Sequence, residues 1–474
     1  MSEPEAPHRV TPRMLAEPRR PARIRALHSA PWLAVGTVCV GAFMGQLDAS
    51  IVTTALPVIR TNLHASIASV EWVVLVYVLV LAGTVAAVGR IADRVGRKLL
   101  YTYGFGIFVA GSAACALAPS LGLLVVGRLV QAVGAVMLQA NSYALIRDVL
   151  PPGRLGAGLG VQGAAQAVGL CLGPVLGGAL TAVGGWRLIF LVNIPLGVIG
   201  LVFGWLFLPR STHHDPMSRI DPYGTLLLAA IPAAVFAALS FAAQSGTPPW
   251  TEPALAALAG LLLIGALARQ RRVAGSVVDA ALIRDPAFDA GIVAAMLSYV
   301  VLFGLLVAVP FYLENTLHVG LVAVGLELSA LPISVAVFAP LGGAIRDRVG
   351  SRVPMGLGML LTAAGLALLA ASGTRSSLTV GALVVTGAGM GLFVAANNAA
   401  TMIAAPQQRA GAAGGLLNMA RGLGTALGVA LPSLVFASGR GITSVALMLL
   451  VVALLAGVVG VTWSTSSRQA VSAV

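Results

Sequence analysis

Asp48 lies inside the apolar stretch MGQLDASIVTTALPVI (44–59), with no basic residue within ten positions on either side. A carboxylate near the middle of a membrane-crossing helix costs about 2.5 to 3.5 kcal/mol, so it must face water, a partner or a cavity, or carry a proton. A group so placed can accept a proton from one side of the membrane and release it to the other. Arg128, in LGLLVVGRLVQAVGAV, and Arg421, in NMARGLGTALG, are further charges within apolar runs and functional candidates by the same reasoning. A structural partner, a carbonyl or Asn418, explains Arg421 equally well. Glu71 is a second acid, but it sits at the outer end of its apolar run, where an interfacial carboxylate is ordinary; Glu314 and Glu327 read the same way.

These residues need helices to hold them in lipid. Of 474 residues, 58% are hydrophobic and 9% charged, and mean hydropathy is +0.94, which no water-exposed globular surface sustains. Apolar runs of about 20 residues, enough to cross ~30 Å of hydrocarbon, recur along the chain. They predict an all-α, multi-pass integral membrane protein with fourteen spans. Six lie at 32–56, 68–88, 99–118, 121–146, 156–182 and 186–208, two at 222–243 and 253–269, and six at 287–313, 320–343, 353–372, 377–404, 411–437 and 441–463.

With both termini inside, the formal charge of +13 falls into place. Of 29 Lys and Arg, Arg60, Arg187, Arg375 and Arg440 lie outside and Arg128 and Arg421 within spans; the rest are cytoplasmic. That bias explains the charge without nucleic acid as a partner. The arm 1–31 is rich in Arg and Pro, is expected to be disordered, and lacks a cleavable signal pattern. Cys39, Cys115 and Cys171 sit in spans with no pairing or metal spacing, and His213 and His214 adjoin without further ligands. No metal site and no cofactor are expected.

Span 1 runs outward to Leu56 and span 4 runs inward from Leu121. Asp48 is then about 12 Å, and Arg128 about 10 Å, below the same surface at 1.5 Å per residue. Opposite charges at matching depth suggest one hydrated chamber, or a permanent ion pair that fixes helix packing.

GRIADRVGRK (89–98) closes span 2, and GAIRDRVGSR (343–352) closes span 10. Gly89, Asp93 and Gly96 match Gly343, Asp347 and Gly350. The chain therefore contains two related six-span halves, kept parallel by the two extra spans between them. Such halves are expected to hold a substrate near the midplane. The domains are an arm (1–31), a first bundle (32–208), a linker with two spans (209–286), a second bundle (287–463) and a cytoplasmic tail (464–474).

GRIADRVGRK resembles the loop signature of the major facilitator superfamily, Gly-x-Leu-x-Asp-Arg-x-Gly-Arg-Lys, and RLVQAVGAV (128–136) resembles its fourth-helix signature. GLCLGPVLGG (169–178) is similar to the fifth-helix signature of its antiporters. LDASIVTTALPVI (47–59) and WRLIFLVNIPLG (186–197) resemble the first and sixth helices of the fourteen-span drug:proton antiporters. The pattern departs at Ser50, Thr53, Ile91 and Ala132, and the second-half loop lacks the final Lys.

The resemblance implies a major facilitator fold and proton-coupled efflux of drugs or antibiotics by alternating access, with no cofactor beyond the proton gradient. The chain would work as a monomer in the cell membrane. Asp48 and Arg128 would couple protons. Gly89, Asp93, Arg94, Gly96, Arg97 and Lys98, with Gly343, Asp347, Arg348 and Gly350, would form a cytoplasmic latch on the outward-facing state. Gly169, Gly173, Pro174, Gly177 and Gly178 would form a hinge and seal in the fifth helix, although close helix packing alone explains such a stripe.

Polar residues within apolar spans complete the cavity candidates: Asp48, Ser50, Thr53, Glu71, Tyr77, Gln131, Gln139, Asn397, Asn398 and Arg421. Interhelical hydrogen bonds are the alternative for the amides. Apolar walls with few polar anchors suit amphipathic or cationic organic molecules. An ATP-driven pump is excluded, because the chain's one lysine, Lys98, is not in a phosphate-loop setting. No nucleophile, base or metal cluster suggests an enzyme. Export of an endogenous metabolite, lipid or peptide remains a second reading, and a non-transporting sensor or scaffold a third.

Overall fold

The computed structural model describes Glu17, residues 20–211, scattered positions between 223 and 269, and residues 285–319, 321–372 and 376–463. The linker spans at 222–243 and 253–269, His213, His214, the tail 464–474 and most of the arm lie outside the described residues, save for those scattered positions. Within the arm, Glu17 is buried and Ala22–Arg25 forms one helical turn, so its inner part is more ordered than composition suggests.

Twelve helices among the described residues are long and apolar enough to cross a membrane. The first half comprises α1 (Ala30–Asn62), α2 (Trp72–Val95), α3 (Arg97–Ala116), α4 (Leu121–Val149), α5 (Leu155–Gly184) and α6 (Leu188–Phe207). The second comprises α7 (Pro286–Asn315), α8 (Leu321–Val349), α9 (Arg352–Ala370), α10 (Ser376–Ala404), α11 (Ala410–Ala437) and α12 (Ile442–Trp463). Several outrun the apolar stretches that announce them. α1 continues through Pro57 to Asn62 rather than ending at Leu56, because a helix leaving hydrocarbon can carry Arg60 and Asn62 into the polar zone. Its apolar run, not its end, therefore sets the depth of Asp48.

The two halves repeat one packing scheme. α1 lies along α5 as α7 lies along α11, and α3 packs on α4 as α9 packs on α10. Across the halves, α2 meets α11 and α5 meets α8. Glycine makes these approaches possible: a Cβ on Gly415 would lie 2.7 Å from Val85 O, and one on Gly160 2.8 Å from Pro340 Cα. Both crossings lie toward the end of the molecule that carries the turns at Gly96 and Gly350. That end also carries most of the described arginines and is called the basic end below.

Candidate functional site

At the opposite end the halves part around a cavity of about 1110 Å³. Val74 in the first turn of α2 and Val324, Gly325 and Leu326 near the start of α8 line its mouth; Val85, Gln139 and Asn418 mark its floor. Its walls are mostly apolar, with Leu, Val, Phe and Pro making half of the lining. Of the residues expected there, Ser50, Thr53, Tyr77, Gln139 and Arg421 line it. Gln46, Tyr299, Ser329, Asn418 and Thr425 join them, polar groups that the sequence alone does not mark as cavity residues. Pro174 and Cys171 also face it, which puts the proline of the α5 signature at the site.

Five cavity candidates lie elsewhere. Glu71 is exposed at the cap of α2, outside the lining, in keeping with its interfacial position. Asn397 donates to Gly291 O at 2.9 Å and so ties α10 to α7, with Asn398 buried beside it. Asp48 and Gln131 sit behind the wall.

Asp48 is wholly buried and does not share a hydrated chamber with Arg128; the two are in contact, Arg128 Nη1 donating to Asp48 Oδ2 at 2.6 Å. Gln131 Nε2 and Asn193 Nδ2 each donate to Oδ1 at 2.8 Å. Three donors from α4 and α6 thus converge on one carboxylate from α1. Arg128 also donates to Val73 O at 2.9 Å and to Gln131 Oε1 at 2.7 Å, which fastens the pair to α2. The partition between pair and cavity is Tyr77, which lines the cavity while Arg128 Cζ lies 4.3 Å from its ring centre.

The basic end is closed twice, by one device used in both directions. Asp93, at the end of α2, accepts from Gly411 N and Ala412 N at 2.9 Å each, at the start of α11 in the other half. Asp347, at the end of α8, accepts from Gly156 N at 2.9 Å and Ala157 N at 2.8 Å, at the start of α5. A carboxylate meeting unpaired amides at a helix N-terminus is stabilised by both hydrogen bonding and the helix dipole. In each case the partner is the fifth helix of the other half.

Gly89 abuts Gly411, and Gly343 abuts Gly156, backbone to backbone, where no side chain fits. Gly96 and Gly350 turn the chain at φ of +122° and +88°, values that favour glycine. An arginine adds a further clasp on each side: Arg97 bonds Asp93, Asp148 at 2.7 Å and, across the halves, Gln407 O at 2.8 Å, while Arg346 bonds Asp347 at 2.9 Å and, across the halves, Pro152 O at 3.1 Å. Arg94 and Arg348, expected in the latch, are exposed and make no part of it. Lys98 instead donates to Leu208 O at 2.8 Å and Trp205 O at 3.2 Å, capping α6.

Gly169, Gly173 and Gly177 form the face of α5 pressed on Phe43, Leu47, Ser50, Ile51 and Thr54 of α1. Gly178 points away into open space and is no part of that seal. Among the described residues no group of three or more His, Cys, Asp and Glu comes together, and all three cysteines are free thiols.

Residues 38–278 and 291–472 match the sequence model of the Major Facilitator Superfamily. The chain is 31% identical over 409 residues to the riboflavin transporter RibZ of Clostridioides difficile, covering 86% of this chain and 88% of that one. It is 31% identical over 417 residues to the tetracenomycin C resistance and export protein of Streptomyces glaucescens, covering 88% and 78%. In fold it is similar to the human organic anion transporter MFSD10, with a TM-score of 0.67 at 14% identity over 90% of this chain and 99% of that one.

Proposed function

The chain belongs to the Major Facilitator Superfamily, and on that premise we propose that it exports amphipathic organic compounds, drugs and antibiotics among them, in exchange for protons. It is a multi-pass transporter of the cell membrane and not an enzyme. On this reading the basic end is cytoplasmic, both termini are inside, and two linker spans bring the total to fourteen, as in the drug:proton antiporters the sequence resembles. The protein works as a monomer without a cofactor.

One observation carries the proposal: the buried Asp48–Arg128 pair stands behind the wall of a cavity that is sealed at the basic end and reaches the opposite one. This is an outward-facing arrangement. A proton entering from outside and settling on Asp48 must displace one of its three donors. Arg128, released in part, then pulls differently on Val73 and Tyr77 of α2, the helix whose far end carries Asp93 and the first latch. Proton arrival and latch opening are thus linked through one rigid helix. The antibiotic-exporting relative supports drug cargo, and the riboflavin transporter supports the second reading, an endogenous metabolite.

Uptake into inverted membrane vesicles tests the reading. Compounds should accumulate when a proton gradient is present, and an uncoupler should abolish it. Accumulation indifferent to the uncoupler would overturn proton exchange.

A further inference from the structure

The charge in the cavity is opposite in sign to the one Asp48 had suggested. Asp48 is neutralised by Arg128 behind the wall, and among the described residues no Asp or Glu lines the cavity; Glu71 and Glu327, near its mouth, are not among the lining residues. Arg421 does line it, and it is the one charged residue that does so among the described residues.

Its partners are neutral. Nη2 donates to Gln166 Oε1 at 2.8 Å, Nη1 reaches Asn418 Oδ1 at 3.4 Å, and Nε is buried without an acceptor. The guanidinium lies 4.3 Å from the ring centre of Tyr299 and 5.7 Å from that of Tyr143. A guanidinium has five N–H donors in a planar fork suited to a carboxylate, so most of its donor capacity here is unspent. At 4% exposure such a charge is costly to hold without a counter-anion, and aromatic faces offset only part of the cost. The aromatic rings of Tyr77, Tyr299 and Phe303 and the aliphatic walls would hold the body of an amphipathic molecule while its anionic group met Arg421.

We propose that Arg421 is the anion-recognising anchor of the substrate cavity, and that the preferred cargo is an amphipathic organic anion bearing a carboxylate or similarly planar oxyanion. This rests on the cavity being the substrate site of the exporter. It reverses the expectation of cationic cargo.

The test is equilibrium binding to the purified full chain in detergent, using three probes of one shape: naphthoate, its methyl ester and naphthyl-trimethylammonium. Naphthoate should bind at least ~10-fold more tightly than either of the others. Arg421→Gln should erase that preference while changing ester affinity less than about twofold, and Arg421→Lys should keep part of it. Should Arg421→Gln not fold, the wild-type ranking and Arg421→Lys still decide. Preference for the ammonium probe, equal binding of all three, no measurable naphthoate binding, or a preference unchanged in the variants would each overturn the proposal. Binding needs no gradient, so it can fail while proton-driven export stands, and succeed where export proves independent of protons.

Discussion

Asp48 Oδ2 lies 2.6 Å from Arg128 Nη1, with both side chains closed off from solvent and cavity alike. A buried pair of this kind seldom adds much net stability, since desolvation offsets attraction, and its removal leaves a costly orphan charge. Its value to a transporter is that two states of charge can be exchanged at one place, and the neighbouring helices register which state is present.

Asp48→Asn keeps an oxygen for Arg128 but cannot take up a proton. Uncoupler-sensitive accumulation in inverted vesicles should fall to the level of empty membranes, while the amount inserted stays the same. Arg128→Ala should be worse for the fold, because it strands a buried carboxylate at a cost of about 3 to 5 kcal/mol. Transport by Asp48→Asn with the wild-type pH dependence would remove Asp48 from the coupling role.

Asn193 offers a finer probe, because its amide supplies one of the three donors to Asp48. A hydrogen bond to a charged group is worth about 1.5 to 3 kcal/mol, and this one also fastens α6 to α1. Asn193→Ala should therefore lower the thermal stability of the purified protein and slow substrate-driven proton movement in proteoliposomes without abolishing it. Wild-type values of both would show that the amide is not needed at the pair.

At the basic end, Asp93→Asn and Asp347→Asn should each weaken one clasp between the halves. Replacing the anion at a helix N-terminus loses about 0.3 to 2 kcal/mol, and an amide presents one acceptor where the carboxylate presents two. Each variant should insert normally, turn over more slowly and populate the inward-open arrangement more often. Labelling of a cysteine placed at Gly414, behind the Asp93 clasp, should therefore be faster from the basic end. Wild-type turnover in both variants would mean that these are static turns.

Much of this was legible before the fold was known, and the reasons differ by residue. Apolar length gave the twelve described spans, because lipid enforces helices of a given reach. The repeat of Gly, Asp and Gly announced paired turns, but not that each aspartate would reach across to the other half, since sequence spacing carries no information about a neighbour more than 300 positions away, as Gly411 is from Asp93. Depth placed Asp48 and Arg128 level with each other. It could not say which way they faced around the helix, and rotation is what separates a cavity residue from one behind the wall. Asn193 and Gln166 were passed over for the same reason: a single amide in an apolar run looks alike whether it serves packing or a charge.

The seal between α1 and α5 separates two glycines of one signature, Gly173 and Gly178. A Cβ on Gly173 would lie 2.5 Å from Ser50 Cβ and 3.0 Å from Ile51 N, whereas one on Gly178 would meet nothing within 4 Å. Overpacking of a close contact costs about 1 to 3 kcal/mol. Gly173→Ala should therefore push α5 off α1, lower the thermal stability of the purified protein and open a proton leak through the first half, measurable as faster decay of an imposed pH gradient in proteoliposomes. Gly178→Ala should change neither. Because Ser50 lines the cavity and packs on this same seam, a displaced α5 also alters the cavity wall, so Gly173→Ala should change the ranking of transported compounds as well as the leak. Equal behaviour of the two alanine variants would mean that the contact at Gly173 is not what seals α5 to α1.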